Sequence, residues 1–397
     1  YNYDCFGHLI EKRLPGCDPI YMVYDKRDRL VMSQDGIQRS ENINKWSYSL
    51  YDNFNRVIES GEVISSVAVH STLLSLAANS TNFLPTGERT PLQYTLYDSY
   101  IASSDVPVLA FQSIPGYSND YHKFVTGLVT SMKTRILGTN IWLTTSTYYD
   151  SRCRVIQTVS NNPQGGTSLV SMKYDFAGNI IQQQERHQVD DETNVLENIN
   201  LYDNRNRLLS SSNKLNDGTP AFISYTYDEV GRLVKKKYGN IEETMTYNIR
   251  GWLTSKESIP FKMKLRYETP EGGTTAYWNG NISEWEWQHA SSTTLGYGFT
   301  YDGLNRLIES VQIQKSDNSW YTFENNYIEN GITYDRNGNI KSLQRTAEGV
   351  IVDNLTYTYN GNQLSRLTEN GQTSSTKDVY ARGSTASGSY TYDKNGN

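Results

Sequence analysis

"YTYDEVGRLVKKKYG", residues 225–239, reads as strand, tight turn and strand, and "FTYDGLNRLIES", residues 299–310, spells the same hairpin again. Aligned on Y-[DN]-x-x-[small]-x-aliphatic, the chain holds eleven such sites. They start at Tyr3, Tyr24, Tyr51, Tyr149, Tyr174, Tyr202, Tyr227, Tyr247, Tyr301, Tyr334 and Tyr392. The second position is Asp in all but Asn248. The fifth is Gly in six sites, Asn in three (Asn55, Asn206, Asn305), Asp28 once and Cys153 once. The sixth is Arg in six, and the seventh is Leu, Val or Ile wherever the chain reaches it.

The turn columns have a physical reason. An Asp side chain accepts backbone N–H bonds two or three residues on, closing an Asx-type turn. Gly, Asn and Asp at position five mark a residue with positive φ. A type I turn followed by one left-handed residue is a common hairpin connection with a bulge. Cys153 is the misfit and is expected to be strained. The turn signature therefore sits on Tyr227, Asp228, Gly231 and Arg232; on Tyr301, Asp302, Asn305 and Arg306; and on Tyr174, Asp175 and Gly178. Around the turns the strands alternate: Tyr225-Thr226-Tyr227 puts two rings on one face. Hairpins laid side by side would set Tyr near Tyr across strands. Three worn copies follow the same pattern: "LYDSYIA" at 96–102, "YWNGNISEW" at 277–285 and "YNGNQLSRL" at 359–367.

The totals agree with an extended architecture. Tyr, a strand former with a polar tip, occurs 31 times among 397 residues. A net charge of −6 argues against a nucleic-acid partner. Cys5, Cys17 and Cys153 are odd in number and contain no C-x-x-C, so neither a disulfide framework nor a zinc site is expected. No apolar run reaches the ~18 residues of a membrane span. No cofactor is expected: there is no G-x-x-x-x-G-K-[ST] loop, the five histidines are scattered, and the turn aspartates are explained without calcium. The first and last residues both fall inside repeats, so the chain reads as a segment of something longer.

Organisation follows from the repeat. Residues 1–60 are repeats, 61–148 an irregular insertion or degenerate repeats, and 149–397 repeats again, all read as one continuous shell. Within the middle region "VAVHSTLLSLAA", 67–78, reads as a short helix, and "LPTGERTPLQ", 84–93, as a loop. About 24 strands at ~4.8 Å spacing make a ribbon roughly 115 Å wide, beyond what a flat twisted sheet sustains. Wound once, it would enclose a ring about 37 Å across, too wide for side chains to fill. The expected fold is all-β: tandem hairpins in a spiralling sheet or large hollow β-shell. A propeller or sandwich is the competing architecture, but blades need four strands per ~40–45 residues.

Tandem Y-D-x-x-G-R-L hairpins at this spacing resemble the Rhs/YD-repeat family, which includes bacterial polymorphic toxins, the C component of insecticidal toxin complexes and teneurins. The resemblance runs from "YDCFGHLI" at residue 3 to "YDKNGN" at 392. It implies a β-strip spiralling into a shell that encloses a C-terminal toxic domain. It further implies a secreted or cell-surface bacterial protein, non-enzymatic in this segment. The implied partners are the C-terminal toxin cargo and secretion-system or surface components. No catalytic residue is carried over.

Two local patterns stand outside the repeat. Glu284-Trp285-Glu286-Trp287 alternates acid and indole, so carboxylates share one face and rings the other. One reading makes Trp285 and Trp287 a carbohydrate contact, with glycans as partners of a surface adhesion protein. The other makes the acids an exposed face over packed rings. Lys235, Lys236 and Lys237 read as a solvated strand that deters edge pairing.

Overall fold

The computed structural model describes residues 1–40, 44–67, 69–290, 292–317, 319–322, 327–347, 349–371 and 388–397. Among them regular structure is almost wholly extended: 28 strands and two short helices, α1 (Gly36–Ser40) and α2 (His70–Ala78). All strand pairs are antiparallel, and nearly all join strands consecutive in the chain. The chain divides into two units, Tyr1–Phe222 with Tyr392–Asn397, and Ile223–Thr391.

The opening stretch shows how the pattern becomes a hairpin. Strand Ala221–Tyr227 pairs with Leu233–Tyr238 in the register Tyr225 with Lys236 and Thr226 with Lys235; the register then slips, and Tyr227 faces Leu233. That slip is a bulge, and it is made possible by Gly231 at φ 96°. The slip recurs beside Tyr174, Tyr202, Tyr247 and Tyr301. The fifth position has positive φ in all eleven sites, including Asp28, Asn55, Asn206, Asn305 and, at 62°, Cys153.

In each unit the meander places successive repeat turns on the same rim of the sheet, because each turn leads from an upward to a downward strand. In the lysine run Lys235 pairs with Glu242 at 2.8 Å while its side chain stays 44% exposed, and Glu243, opposite Lys236, pairs with Lys256 at 3.1 Å.

In the first unit, one face of the sheet is covered. Leu73 and Ala77 of α2 are buried against Val23, Met32, Trp46 and Val63. The irregular segment 99–124 lays Ile114 and Phe111 over Tyr148, Ile156, Val159 and Leu169. Residues 61–148 thus hold strands paired in the same meander, one helix and one long excursion from the repeat rim.

One expectation is overturned. "LPTGERTPLQ" is not a loop throughout, since Gly87–Asp98 is a twelve-residue strand. Its Pro91 lies opposite Gly61, at a register slip. A Cβ on Gly61 would sit 2.3 Å from the Thr90 carbonyl oxygen, so only glycine lets the proline-containing strand approach.

Candidate functional site

The repeated turn is the best-defined constellation of the chain. In one copy, Asp228 Oδ1 accepts the N–H of Val230 (3.1 Å) and of Arg232 (2.8 Å), while its Oδ2 accepts Arg232 Nε at 2.7 Å. Asp302 does the same with Leu304 and Arg306. Asp175 holds Asn179 in place of an arginine. The charge of these aspartates is stabilised accordingly: the Arg306 backbone N–H, then its guanidinium, hold the Asp302 carboxyl below its ordinary range. Asn248 accepts the same two backbone bonds, from Arg250 and Trp252, without a charge.

The same residues also stitch neighbouring repeats. The position-six arginine donates from Nη1 to the carbonyl of the next repeat's second residue: Arg154 to Asp175 (3.0 Å), Arg232 to Asn248 (3.1 Å) and Arg306 to Asp335 (3.2 Å). Its guanidinium carbon lies over the next repeat's tyrosine ring: Arg154 over Tyr174 at 4.6 Å, Arg232 over Tyr247 at 5.0 Å and Arg306 over Tyr334 at 4.5 Å. That tyrosine's hydroxyl in turn donates back to the position-seven carbonyl. Tyr51 bonds Leu30, Tyr174 bonds Val155, Tyr247 bonds Leu233 and Tyr334 bonds Leu307. The seams Arg154–Tyr174, Arg232–Tyr247 and Arg306–Tyr334 therefore each carry an arginine hydrogen bond, a cation–π contact and a tyrosine hydrogen bond, all made by the signature residues.

Departures from the consensus keep parts of the seam. His8 stands where arginine is usual; its Nδ1 lies 2.8 Å from Asp4, and its ring stacks on Tyr24 at 4.7 Å. At the worn copy 96–102 the turn is replaced by the excursion 99–124. Even so, Arg56 grips Asp98 with both Nη atoms, and Tyr97 bonds the Val57 carbonyl. The Arg56 guanidinium, with the Gly127 N–H, lowers the Asp98 carboxyl to about 2.

The Glu-Trp-Glu-Trp strand, Glu284–His289, corrects the other reading. Glu284 and Glu286 are not an exposed acidic face; they are 0% and 4% exposed. Segment 267–283 folds over them, because Glu284 accepts the N–H of Glu271 and of Gly272 (2.7 Å each) and the Thr274 hydroxyl (2.9 Å). Arg266 completes the cluster, bonding Glu286 through Nε and Glu271 at 2.8 Å. Burial opposes the Arg266 charge, but the Glu286 carboxylate, helped by Glu271 and Glu284, makes it harder than usual to deprotonate. A groove of ≈ 440 Å³ runs along this acidic face, lined among others by Thr246, Ser255, Glu257, Lys264, Arg266 and Glu271.

Trp285 and Trp287 lie on the opposite face, half-buried, with ring centroids 4.8 Å apart. Trp287 stacks on Tyr297 at 5.6 Å, and Tyr297 on Phe299 at 6.4 Å. The four rings form a partly exposed ladder across two adjacent strands. Among the described residues no group of three or more His, Cys, Asp or Glu side chains is arranged to hold a metal ion.

The sequence columns named the tyrosine, the aspartate and the positive-φ residue. They gave no role to the arginine, although an Arg four residues after an Asp, six times over, is the signal for an ion pair closed across the turn. Arg266, in a strand with no repeat signature, left no such mark.

No protein-family model and no curated protein matches the chain. Among solved structures it is similar to a chain in the crystal structure of TcdB2-TccC3-Cdc42, at 12% identity and a TM-score of 0.31, covering 92% of this chain and 20% of that one. For the crystal structure of TcdB2-TccC3 the values are 11%, 0.29, 92% and 21%. For TcdB2-TccC3 without its hypervariable C-terminal region they are 12%, 0.31, 91% and 25%. The chain thus spans between a fifth and a quarter of the length of the chains it matches. Likeness at this level transfers neither an activity nor a partner. No helix of the described residues is long and apolar enough to cross a membrane.

Proposed function

We propose that the chain is a non-enzymatic wall segment of an Rhs/YD-repeat shell, secreted or surface-borne in bacteria, that encloses and helps deliver a C-terminal toxin. The observation that carries this reading is the repeat-to-repeat seam. Signature residues are spent on joining one hairpin to the next, from Arg154 with Tyr174 to Arg306 with Tyr334. A wall needs that property, since its stability is a sum of repeat and neighbour terms. Its mechanism is steric: the wall keeps cargo from its target and from proteases until release. Limited proteolysis of the full-length protein tests the idea. A C-terminal cargo that survives native digestion but is degraded after the seams are broken supports it. A cargo cut equally fast in both states overturns it.

A second reading, adhesion through glycans, is favoured by one observation, the partly exposed ladder of Trp285, Trp287, Tyr297 and Phe299. Stacked rings present apolar faces suited to sugar C–H groups. A glycan-array screen with the wild type and Trp285→Ala/Trp287→Ala tests it. Selective binding that the double variant loses supports adhesion, and equal signal from both removes the ladder from the account.

A further inference from the structure

Within the first unit, Asn395 and Gly396 of the turn 392–397 are partly buried. Their turn lies against the first and second repeats, some 360 or more positions earlier in the chain. The Lys394 carbonyl accepts the Asp18 N–H at 2.8 Å. The Asn395 amide makes three bonds: Oδ1 accepts the N–H of Gly36 (3.0 Å) and of Ile37 (3.4 Å), and Nδ2 donates to Asp35 Oδ2 at 3.0 Å. The Cys17 thiol donates to the Asn395 carbonyl at 3.2 Å. Gly36 is required for the fit, since a Cβ there would sit 2.8 Å from the Lys394 carbonyl oxygen.

We propose that Asp18, Asp35, Gly36 and Ile37 form a recognition site for a Y-D-x-N-G-N turn, occupied here by the chain's own residues 392–397. Selectivity follows from the chemistry. The site offers two N–H donors and one carboxylate acceptor side by side, and a primary amide satisfies both. A carboxylate would satisfy the N–H groups but repel Asp35, and an apolar side chain would satisfy neither. Among the eleven repeat turns only two carry Asn at the fourth position, Asn337 and Asn395. Asn337 is engaged elsewhere, donating to Asn362 at 2.9 Å. The backbone of the docked turn is set by its own Asp393, which accepts the N–H of Asn395 and of Asn397. The turn therefore presents Asn395 as a preformed unit, with little ordering left to do on docking. The inference is independent of the cargo reading, because it concerns only how one turn is recognised.

Cys17 reports occupancy. In the full chain with Cys5→Ser and Cys153→Ser, Cys17 is labelled with a maleimide under native conditions. Asn395→Asp is expected to speed labelling by about tenfold or more, the effect of opening a local contact, with an unchanged circular-dichroism melt. Asp35→Asn combined with Asn395→Asp is expected to restore slow labelling, because the carboxylate now accepts from an amide at position 35. Asn395→Ala serves as the second opening variant, should Asn395→Asp not fold. Wild-type labelling rates in the opened variants, or no slowing in the double variant, would overturn the assignment.

Discussion

The guanidinium of Arg154 lies 4.6 Å over the ring of Tyr174, whose hydroxyl donates to the carbonyl of Val155 at 2.7 Å. One arginine thus closes its own turn through Asp150 and covers the tyrosine of the next repeat. The tyrosine returns a hydrogen bond to the residue after that arginine. Where position six is arginine, the Tyr-Asp-Arg spelling thus serves its own turn and the neighbouring repeat at once.

The tyrosine hydroxyl is the simplest part to remove. Tyr334→Phe keeps the ring under Arg306 and deletes only the 2.6 Å bond to the Leu307 carbonyl. The expected loss is about 0.5–1.5 kcal/mol, read from chemical denaturation. Tyr334→Ala is expected to cost more, because the cation–π contact goes as well.

Gly231→Val forces a β-branched residue to a φ of 96°. Strain of about 1–2 kcal/mol is expected. The loss should concentrate in the hairpin 225–238, as faster amide exchange there than in neighbouring hairpins. Exchange identical to wild type would contradict the assigned turn.

Acid should loosen the turns in a defined direction. Asp302 is lowered by the backbone and side chain of Arg306, Asp203 by the backbone and, less strongly, the side chain of Arg207, and Asp98 to about 2 by Arg56 and Gly127. A depressed carboxyl binds fewer protons folded than unfolded. Its contribution is therefore complete above the unfolded value of ~3.9 and is lost as pH falls through the lower folded value. Melting temperature should hold steady from neutral pH to about 5 and fall below about 4. Asp302→Asn, imitating Asn248, should blunt the acid sensitivity of its own hairpin; an unchanged acid profile of that hairpin's amide exchange would place the sensitivity elsewhere.

The buried acids make a different prediction. Glu284→Gln keeps the shape but removes the charge beside Arg266. One N–H or hydroxyl donor among Glu271, Gly272 and Thr274 would then face an NH₂ group. Segment 267–283 should open, with a loss of about 1–3 kcal/mol and accelerated exchange at the Glu271 and Gly272 amides. Retained protection would show that other contacts hold the segment.

How much of this was legible in the sequence follows from periodicity. Gly231, Asn305 and Asp228 act on residues within four positions, so their roles could be read locally. The Arg154–Tyr174 contact joins residues twenty apart and needs the register of two hairpins before it can be seen. The Gly87–Asp98 strand was hidden because its Pro91 is tolerated only opposite Gly61, a long-range condition. Alternation correctly separated Glu284 and Glu286 from Trp285 and Trp287 onto two faces. It could not say which face a later loop would cover, and the cover went to the acids. Asn395 reads as one more turn residue until Gly36, far away in sequence, is set beside it.

The most direct test of the seam is a double-mutant cycle on Arg306 and Tyr334, measured by chemical denaturation of Arg306→Ala, Tyr334→Phe, Tyr334→Ala and the paired variants. If signature residues join neighbouring repeats, Arg306→Ala and Tyr334→Ala should couple by about 0.5–1 kcal/mol, and Tyr334→Phe should couple less. Fully additive losses would mean that arginine and tyrosine each serve only their own hairpin, and the stitched wall would be contradicted.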